Sequence, residues 1–334
     1  MGLLYGLGAR LHRAWMKRSL PERGRLACGV VSIGALTVGG AGKTPVAARV
    51  AQGLAARGWR VVLASRGYRG RSRDPVRVVS DGRFIRSNVE ESGDESLVLA
   101  AHAPGVPVLV GADRRVVGHR AVAAFDAQIL VLDDGFQHHR LARDLDIVCV
   151  DGVSGFGNGR VLPAGPLREP RAALAAADWL CVVDGGQPDS RGAEIASQEG
   201  QSLEVIHASR RPTDLLRLDH SERRSAESLE GARVGLLAGI ARPTSLRKTL
   251  EGLGASVVAE RTFPDHHVYG LEDCAGLDDS VDLWVTTEKD ALKILPDWVT
   301  DVPLFVLRIE AEIEEEAEVL DRIERRLRER GRLG

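Results

Sequence analysis

One segment of this 334-residue sequence places glycines, a lysine and a hydroxyl group in the order that phosphate binding requires. The pattern G-x-x-x-x-G-K-[ST] wraps backbone N–H groups around phosphate oxygens, directs a lysine to the terminal phosphates and offers a hydroxyl to Mg²⁺. The chain matches this pattern at its end and departs from it at Thr37, where the first glycine would stand. The predicted phosphate-binding loop consists of Thr37, Val38, Gly39, Gly40, Ala41, Gly42, Lys43 and Thr44.

Two adjacent carboxylates, Asp133 and Asp134, follow the apolar run Ile129–Leu132. Open α/β sheets bind their ligands at the carboxyl ends of the strands, where this pair would stand. Neighbouring carboxylates repel each other unless a cation compensates them, so the pair indicates a metal ion. The alternative is a solvated turn before Gly135.

Two other acidic segments have both a chemical and a structural interpretation. Asp94 and Glu95 precede a helical pattern, and on their own they are typical of a helix N-terminus. Arg168 and Glu169 could serve developing phosphate charge and a metal ion, although an ion pair in a turn would have the same sequence.

The second half of the chain holds two similar cases. His266 and His267 are adjacent and lack metal-ligand spacing, so they suit proton transfer, or else they lie in a surface loop. Thr286–Asp290 follows an apolar run and is typical of a helix cap, which we favour over a catalytic role.

Short runs rich in valine and isoleucine alternate with segments of helix length, which predicts a mostly parallel sheet with helices on both faces. The predicted strands are Ala27–Gly34, Val61–Ala64, Val106–Val110, Ile129–Leu132 and Ile147–Val150, and the predicted helices are Lys43–Arg57, Glu95–Ala101 and Arg114–Ala124. An Asp-Gly pair between Val76–Val79 and Arg83–Ile85 predicts an inserted β-hairpin that projects from the sheet.

The alternation pauses in a glycine-rich, polar stretch over residues 184–205 and then resumes. We therefore predict a nucleotide-binding domain over residues 26–205 and a smaller α/β domain over residues 206–334. The last predicted helix begins acidic and ends basic, which complements its dipole.

Residues 1–25 predict a separate amphipathic helix. Leu4, Leu7, Leu11 and Trp15 recur at helical spacing, and six basic residues against Glu22 alone give a net charge of +5. Such a helix either packs on its own domain or lies in a membrane interface near anionic lipid.

Composition excludes several classes of protein. A net charge of −2 gives no general attraction to nucleic acid, and four widely spaced cysteines indicate neither a zinc site nor a disulfide framework. The chain has neither an apolar run of roughly 18 residues nor a signal peptide. We expect a cytoplasmic protein.

Together these segments closely resemble the tetraacyldisaccharide 4′-kinase family, in the same order and spacing over most of the chain. The matching segments are Thr37–Pro45, Ser65–Tyr68, Gly93–Glu95, Asp133–His138, Leu162–Glu169, Gly239–Pro243, Phe263–His267 and Thr286–Asp290. The departure at Thr37 looks like a trait of the family. The resemblance implies a P-loop NTPase-like fold that uses ATP and Mg²⁺ to phosphorylate the 4′-hydroxyl of a tetraacylated glucosamine disaccharide 1-phosphate in lipid A biosynthesis.

The resemblance also assigns roles to residues. It implies that Asp94 and His266 together accept the hydroxyl proton, which overturns the helix-terminus interpretation of Asp94 and requires the two domains to face each other. The implied catalytic residues are Lys43, Asp94, Asp133, Arg168 and His266, the implied metal ligands are Thr44, Asp134 and Glu169, and Glu95 and His138 complete the site. The division of metal and base duties among the four carboxylates stays open.

A lipid with four acyl chains must be processed at a membrane surface, which favours the interfacial interpretation of the N-terminal helix. We expect peripheral association with the inner membrane of a Gram-negative bacterium, a glycolipid substrate, no nucleic acid and no obligate protein partner. Two other functions fit the loop: a nucleotide-switch ATPase or GTPase that acts through a protein partner, and a kinase or ligase with a soluble substrate. The chain lacks an Asn-Lys-x-Asp guanine-reading motif, which favours ATP.

Overall fold

The computed structural model describes residues 24–184, 191–200, 202–277, 280–300 and 302–334. The chain divides into two compact units: the larger ends at Arg210 and takes up Ala311–Gly334, and the smaller is Arg211–Glu310. Residues 1–23 hold most of the predicted N-terminal helix and lie outside the described ranges, so that helix stays a prediction. Within these ranges, no helix has the length and apolarity needed to cross a membrane.

Strands and helices alternate in the larger unit, as its sequence predicts. Its strands are β1 (Gly29–Ala35), β2 (Val61–Ser65), β3 (Arg77–Asp81), β4 (Pro107–Val110), β5 (Ile129–Asp133), β6 (Leu145–Asp151), β7 (Trp179–Val183) and the first part of β8 (Glu204–Arg217). Its helices include α1 (Lys43–Ala56), α2 (Val89–Ser92), α3 (Asp94–His102), α4 (Arg114–Phe125) and α5 (Arg191–Glu199).

The sheet of the larger unit has the strand order β3-β4-β2-β5-β1-β6-β7-β8. Neighbouring strands pair in parallel except for β3 and β4. Because parallel strands end at the same edge, the loops after β1, β2, β4, β5, β6 and β7 meet there. The predicted α/β fold is confirmed.

Both faces of this sheet are covered by helices. Ile129 and Val131 of β5 pack in a core with α1 and α3, whereas Leu130 and Leu132 pack on the other face with α4. A strand that is buried on both faces needs apolar side chains at every position, which explains the continuous apolar runs.

The predicted β-hairpin differs from the expectation in one respect. The Asp-Gly turn forms, because the Asp81 side chain accepts a hydrogen bond from the Phe84 N–H at 2.8 Å. The first arm, β3, does not project but pairs antiparallel with β4 as the edge strand of the sheet. The return arm makes a bridge between Ser80 and Ile85. Without β3, the backbone groups along the edge of β4 would lack partners, so pairing there is favoured.

The smaller unit is also α/β. Besides the second part of β8 it contains β9 (Arg223–Ser225), β10 (Arg233–Ala238), β11 (Ser256–Thr262), β12 (Leu283–Thr287), most of β13 (Leu304–Ile313), and the helices α6 (Pro243–Gly252), α7 (Leu271–Cys274) and α8 (Glu288–Ala291). Strands β11, β10, β12 and β13 pair in parallel in that order, and β9 pairs antiparallel with β8.

The C-terminal helix α9 (Glu316–Glu329) belongs to the larger unit and not to the smaller domain predicted over residues 206–334. Its Leu320 side chain packs closely on Gly53 of α1. A Cβ added to Gly53 would lie 2.6 Å from Leu320 Cδ1. Arg49 of α1 and Glu316 form an ion pair at 2.6 Å. The sequence predicts Glu310 and Glu312 at the acidic start of this helix, but both lie in β13.

Replacing Leu320 with alanine should lower the free energy of unfolding by about 2–5 kcal/mol, because the buried side chain would leave a cavity against α1. Urea unfolding followed by circular dichroism measures the loss. The control is Glu318→Ala on the exposed face of the same helix. Equal, small losses in both variants would contradict the packing of α9 on the larger unit.

Candidate active site

The phosphate loop connects β1 to α1, which begins at Lys43. Gly39 and Gly42 adopt positive φ angles of 86° and 74°, a backbone conformation that favours glycine. A Cβ on Gly42 would also come within 2.8 Å of the Val183 side chain in β7. The loop therefore requires glycine at position 42 for two reasons, its backbone angle and its close approach to the neighbouring strand.

Thr37 replaces the first glycine of the pattern because the backbone there is extended and paired. It forms an antiparallel bridge with Leu167. On either side, the Val38 N–H donates to the Pro166 carbonyl at 2.8 Å, and the Arg168 N–H donates to the Leu36 carbonyl at 2.7 Å. This pairing holds the segment that carries Arg168 beside the start of the phosphate loop.

Asp133 and Thr44 meet at the end of β5. The Thr44 hydroxyl donates to Asp133 Oδ2 at 3.0 Å. The carboxylate is only 3% exposed, and its Oδ1 atom has no hydrogen-bond partner among the described residues. The pKa of Asp133 is raised to about 6, chiefly by burial and also by the charge of Asp134, while the charge of Lys43 opposes the rise. A buried oxygen without a partner next to a threonine hydroxyl fits a hard cation such as Mg²⁺.

Asp134 has a different partner. It adopts a positive φ of 56°, and both of its carboxylate oxygens accept hydrogen bonds from Arg168 Nη1, at 2.8 and 2.7 Å. Burial alone would raise the pKa of Asp134, but the charges of Lys43 and Arg168 lower it below its usual value. Of the two aspartates, Asp133 lies against Thr44, the predicted metal ligand, and Asp134 forms an ion pair with Arg168.

Two histidines follow the aspartates. His138 Nε2 lies 3.8 Å from Asp113 Oδ1, and His139 Nε2 lies 3.7 Å from Glu169 Oε1. Burial and the nearby Arg114 lower the pKa of His138 to about 4, although Asp113 opposes them. His138 is therefore neutral near pH 7.

Arg114, which is not among the site residues predicted from the sequence, is 5% exposed at the start of α4. Its Nη1 donates to the Ala112 carbonyl at 3.0 Å, and its charge acts on Asp133 and Asp134. Burial and the neighbouring Arg66 lower its pKa. Its position could have indicated the site from the sequence, because Arg114 begins the helix that follows strand β4, directly after the N-cap Asp113.

Asp94 is the first residue of α3 and is 4% exposed. The N-cap of this helix is Gly93, with a φ of 81°, and not Asp94. The Asp94 carboxylate accepts a hydrogen bond from the Glu95 N–H at 2.9 Å. Glu95 is close enough to Asp133 for its charge to raise the pKa of that residue.

His266 lies in the smaller unit with a positive φ of 63°. Its Nε2 is 3.3 Å from Lys289 Nζ, and Lys289 is also 3.3 Å from Asp265. The neighbouring His267 bonds Asp273 at 2.9 Å and stacks on a phenylalanine, so its role is structural. In the described ranges, which include both histidines, no three His, Cys, Asp or Glu side chains are grouped so that they could hold a metal ion by themselves.

The segment Thr286–Asp290 confirms the helix-cap interpretation. The Thr287 side chain caps α8 by accepting from the Asp290 N–H at 3.1 Å. The fully buried Asp290 carboxylate accepts from Thr287 Oγ1 at 2.9 Å, from the Gly239 N–H at 2.9 Å and from Lys293 at 3.0 Å. Gly239 in turn accepts from the His266 N–H at 3.2 Å, so this cap also supports the histidine loop.

The family described as tetraacyldisaccharide-1-P 4′-kinase matches residues 1–328. The chain belongs to this family. A tetraacyldisaccharide 4′-kinase of Anaeromyxobacter sp. (strain Fw109-5) is 44% identical over 319 residues, which cover 93% of this chain and 85% of the relative. The corresponding protein of Syntrophus aciditrophicus (strain SB) is 38% identical over 327 residues, covering 93% and 87%.

A solved member of the tetraacyldisaccharide 4′-kinase family has the same fold. The crystal structure of LpxK from Aquifex aeolicus in complex with ATP aligns with a TM-score of 0.78 and 28% sequence identity, and the alignment covers 97% of this chain and 96% of that one. The resemblance inferred from the eight sequence segments is thereby confirmed.

In this member of the tetraacyldisaccharide 4′-kinase family, one edge of the larger sheet carries most of the predicted site. Thr44 donates a hydrogen bond to Asp133 there, Arg168 donates to Asp134, and the charge of Lys43 acts on both aspartates. His266 belongs to the smaller unit, so its pairing with the carboxylate at position 94 stays a prediction.

Asp133→Asn should stabilise the protein when Mg²⁺ is absent. The folded-state pKa of about 6 exceeds the ordinary 3.8, so the folded protein loses stability through this group as pH rises from about 4 to about 6. Asparagine removes that loss, so the melting temperature should rise at neutral pH, and the gain should vanish near pH 4. Thermal melts across this range measure it.

Asp134→Asn is the matched control for this experiment. Its pKa is lowered, so its charge stabilises the folded protein, and its removal should lower the melting temperature at neutral pH. If Asp133→Asn also lowers the melting temperature at neutral pH, the Asp133 charge does not destabilise the folded protein, and the prediction is wrong.

Proposed function

We propose that this protein transfers the γ-phosphate of ATP to the 4′-hydroxyl of tetraacyldisaccharide 1-phosphate, a step of lipid A biosynthesis. The proposal rests on two hydrogen-bonded pairs beside a phosphate loop, Thr44 with Asp133 and Arg168 with Asp134. This arrangement lies in a chain that matches the kinase family over residues 1–328.

The phosphate loop and its neighbours supply the nucleotide site. Backbone N–H groups at the start of α1 and the Lys43 ammonium bind phosphate oxygens. In this proposal Thr44 and Asp133 would hold Mg²⁺, which would neutralise charge on the phosphates. Of the carboxylates left open by the sequence analysis, the contact with Thr44 favours Asp133 over Asp134 as the metal-side group.

Arg168 is the cation that we assign to the phosphoryl group during its transfer. Asp134 holds its guanidinium with two hydrogen bonds, which limits the motion of a long side chain and directs its remaining N–H groups. Positive charge fixed in this way stabilises the negative charge that develops on the phosphoryl oxygens during transfer. Glu169 follows directly and lies beside His139, and we retain it as a candidate metal ligand.

The acceptor hydroxyl must lose a proton as it attacks. We assign the proton to Asp94 acting with His266, as the family resemblance implies. A bond forms between the 4′-oxygen and the γ-phosphorus, the bond from that phosphorus to the bridging oxygen breaks, and ADP leaves with the electron pair. Lys289 Nζ lies 3.3 Å from His266 Nε2, and because an ammonium group can only donate, this contact would hold the orientation of the imidazole ring.

The N-terminal segment supplies the membrane contact in this proposal. Its +5 charge and apolar stripe suit the interface of an anionic bilayer, where a lipid with four acyl chains resides. The protein would then work at the cytoplasmic face of the inner membrane as a peripheral enzyme.

Wild-type protein should transfer ³²P from the γ-position of Mg·ATP to tetraacyldisaccharide 1-phosphate in detergent micelles. Asp94→Asn and His266→Gln should each lower kcat by about 10²–10⁴-fold, because proton acceptance contributes that much. His220→Gln is the control, since His220 is exposed and has the same left-handed backbone, with a φ of 62°. ATP binding without labelled lipid would reject the lipid kinase and favour the nucleotide switch.

Deletion of residues 1–20 should reduce co-sedimentation with vesicles that contain anionic lipid. The loss should shrink as salt is added, because part of the attraction is electrostatic. A second variant, with Arg10, Arg13, Lys17 and Arg18 replaced by glutamine, separates charge from apolar contact. Equal sedimentation of wild type and the deletion variant would exclude the segment as the membrane contact.

A further inference from the structure

Arg210 is the last residue of the larger unit and contacts the phosphate loop from β8. Each of its three guanidinium nitrogens has a different acceptor. Nη1 donates to the Gly40 carbonyl at 3.2 Å, Nη2 donates to Asp151 Oδ2 at 2.8 Å, and Nε donates to Asp184 Oδ2 at 2.5 Å. The guanidinium therefore connects the loop to the ends of β6 and β7.

The two carboxylates are themselves held in place. Asp151 ends β6, is 7% exposed, and accepts through Oδ1 from the N–H and the hydroxyl of Ser154. Burial would raise the pKa of Asp151, but the Ser154 hydrogen bonds and Arg210 lower it. Asp184 follows β7 with a positive φ of 60°, and its Oδ1 accepts from the Arg210 N–H at 2.7 Å. Neither carboxylate is free to swing away from the guanidinium.

Charge distinguishes Arg210 from the phosphate-binding cations of the site. Two carboxylates surround one guanidinium, so the cluster of Arg210, Asp151 and Asp184 is net negative. Such a cluster does not attract phosphate oxygens. Arg210 therefore acts on the loop by orienting the Gly40 carbonyl through one hydrogen bond.

That hydrogen bond restrains a peptide group that would otherwise turn easily. The Gly40–Ala41 peptide is held at its oxygen by Arg210 and at its N–H by the Gly39 carbonyl, at 2.8 Å. Glycine permits many backbone conformations, so the loop gains order only from such contacts. A loop already ordered before the ligand arrives loses less entropy on binding it.

We propose that Arg210 is a positioning residue for the nucleotide: it holds the Gly40–Ala41 peptide in the conformation in which the loop accepts phosphate groups. The proposal rests on the proposed function only in taking a nucleoside triphosphate as the phosphate donor. Its consequence is a change in nucleotide affinity, with turnover at saturating nucleotide nearly unchanged.

The test compares Arg210→Lys with Arg57→Lys. Arg57 is a matched control because it also bonds two carboxylates and one carbonyl, those of Asp321, Glu324 and Ala317, and its side chain is 26% exposed against 28% for Arg210. It lies at the far end of α1 from the phosphate loop. A lysine at either position keeps the charge, but its single nitrogen cannot stand at the separate positions from which the guanidinium nitrogens reach their acceptors.

Calorimetric titration with Mg·ATP should give a Kd for Arg210→Lys that is weaker on the order of tenfold, and a Kd for Arg57→Lys within about twofold of wild type. Both variants should melt somewhat earlier without nucleotide. In the kinase assay, Arg210→Lys should raise KM for ATP and leave both kcat and KM for the lipid nearly unchanged. Asp184→Asn, which keeps the arginine but weakens its hold, should shift the Kd in the same direction and provides the test if Arg210→Lys fails to fold.

Each other outcome has a definite meaning. Wild-type ATP affinity in both Arg210→Lys and Asp184→Asn would overturn the proposal and leave Arg210 a purely structural residue. An equal loss of affinity in Arg57→Lys would also overturn it, because general destabilisation would then be the cause. If wild type binds ATP but does not label the lipid, the proposed substrate is wrong and the role of Arg210 is still supported by the Kd values. If wild type binds no ATP, both proposals are wrong.

Discussion

Asp133 places a carboxylate inside the larger unit, where burial disfavours the charged form. The neighbouring groups of the site, Lys43 and Thr44, reduce this free-energy cost. One Asp133 oxygen is satisfied by Thr44, and the other has no partner in the described part of the chain. The pKa of about 6 means that the Asp133 charge is poorly compensated in the apoprotein. A cation bound to this carboxylate would supply the missing compensation. Lys43 and the ion pair of Asp134 with Arg168 limit the repulsion between the two carboxylates.

The phosphate loop is held from two sides of the chain. On one side, the backbone at Thr37 pairs with Leu167, which also fixes the segment that carries Arg168. On the other side, Gly42 packs against Val183 and Gly40 accepts from Arg210. A glycine-rich loop has little order of its own, so its shape depends on these neighbours. The threonine at the first position of the motif follows from the same pairing, because a paired, extended backbone has no need of glycine.

The smaller unit uses a buried carboxylate in a different way. Asp290 is fully buried, but its partners include a backbone N–H, a hydroxyl and a lysine, so it has no need of a ligand. The motif that contains it is a helix cap that also holds the loop of Gly239 and His266. The buried Asp290 carboxylate fixes the backbone around it, whereas Asp133 keeps one oxygen without a partner in the described part of the chain.

The sequence by itself determined the parallel α/β fold, the phosphate loop, the paired aspartates and the family, because these depend on local periodicity and on motifs of a few adjacent residues. It did not determine which aspartate lies against Thr44, that β3 joins the sheet, or that α9 packs on the larger unit. It also missed Arg114 and Arg210, whose partners lie at distant positions, such as Gly40 for Arg210. Only the tertiary structure decided these points, because the carboxyl ends of parallel strands bring together residues that no spacing along the chain connects.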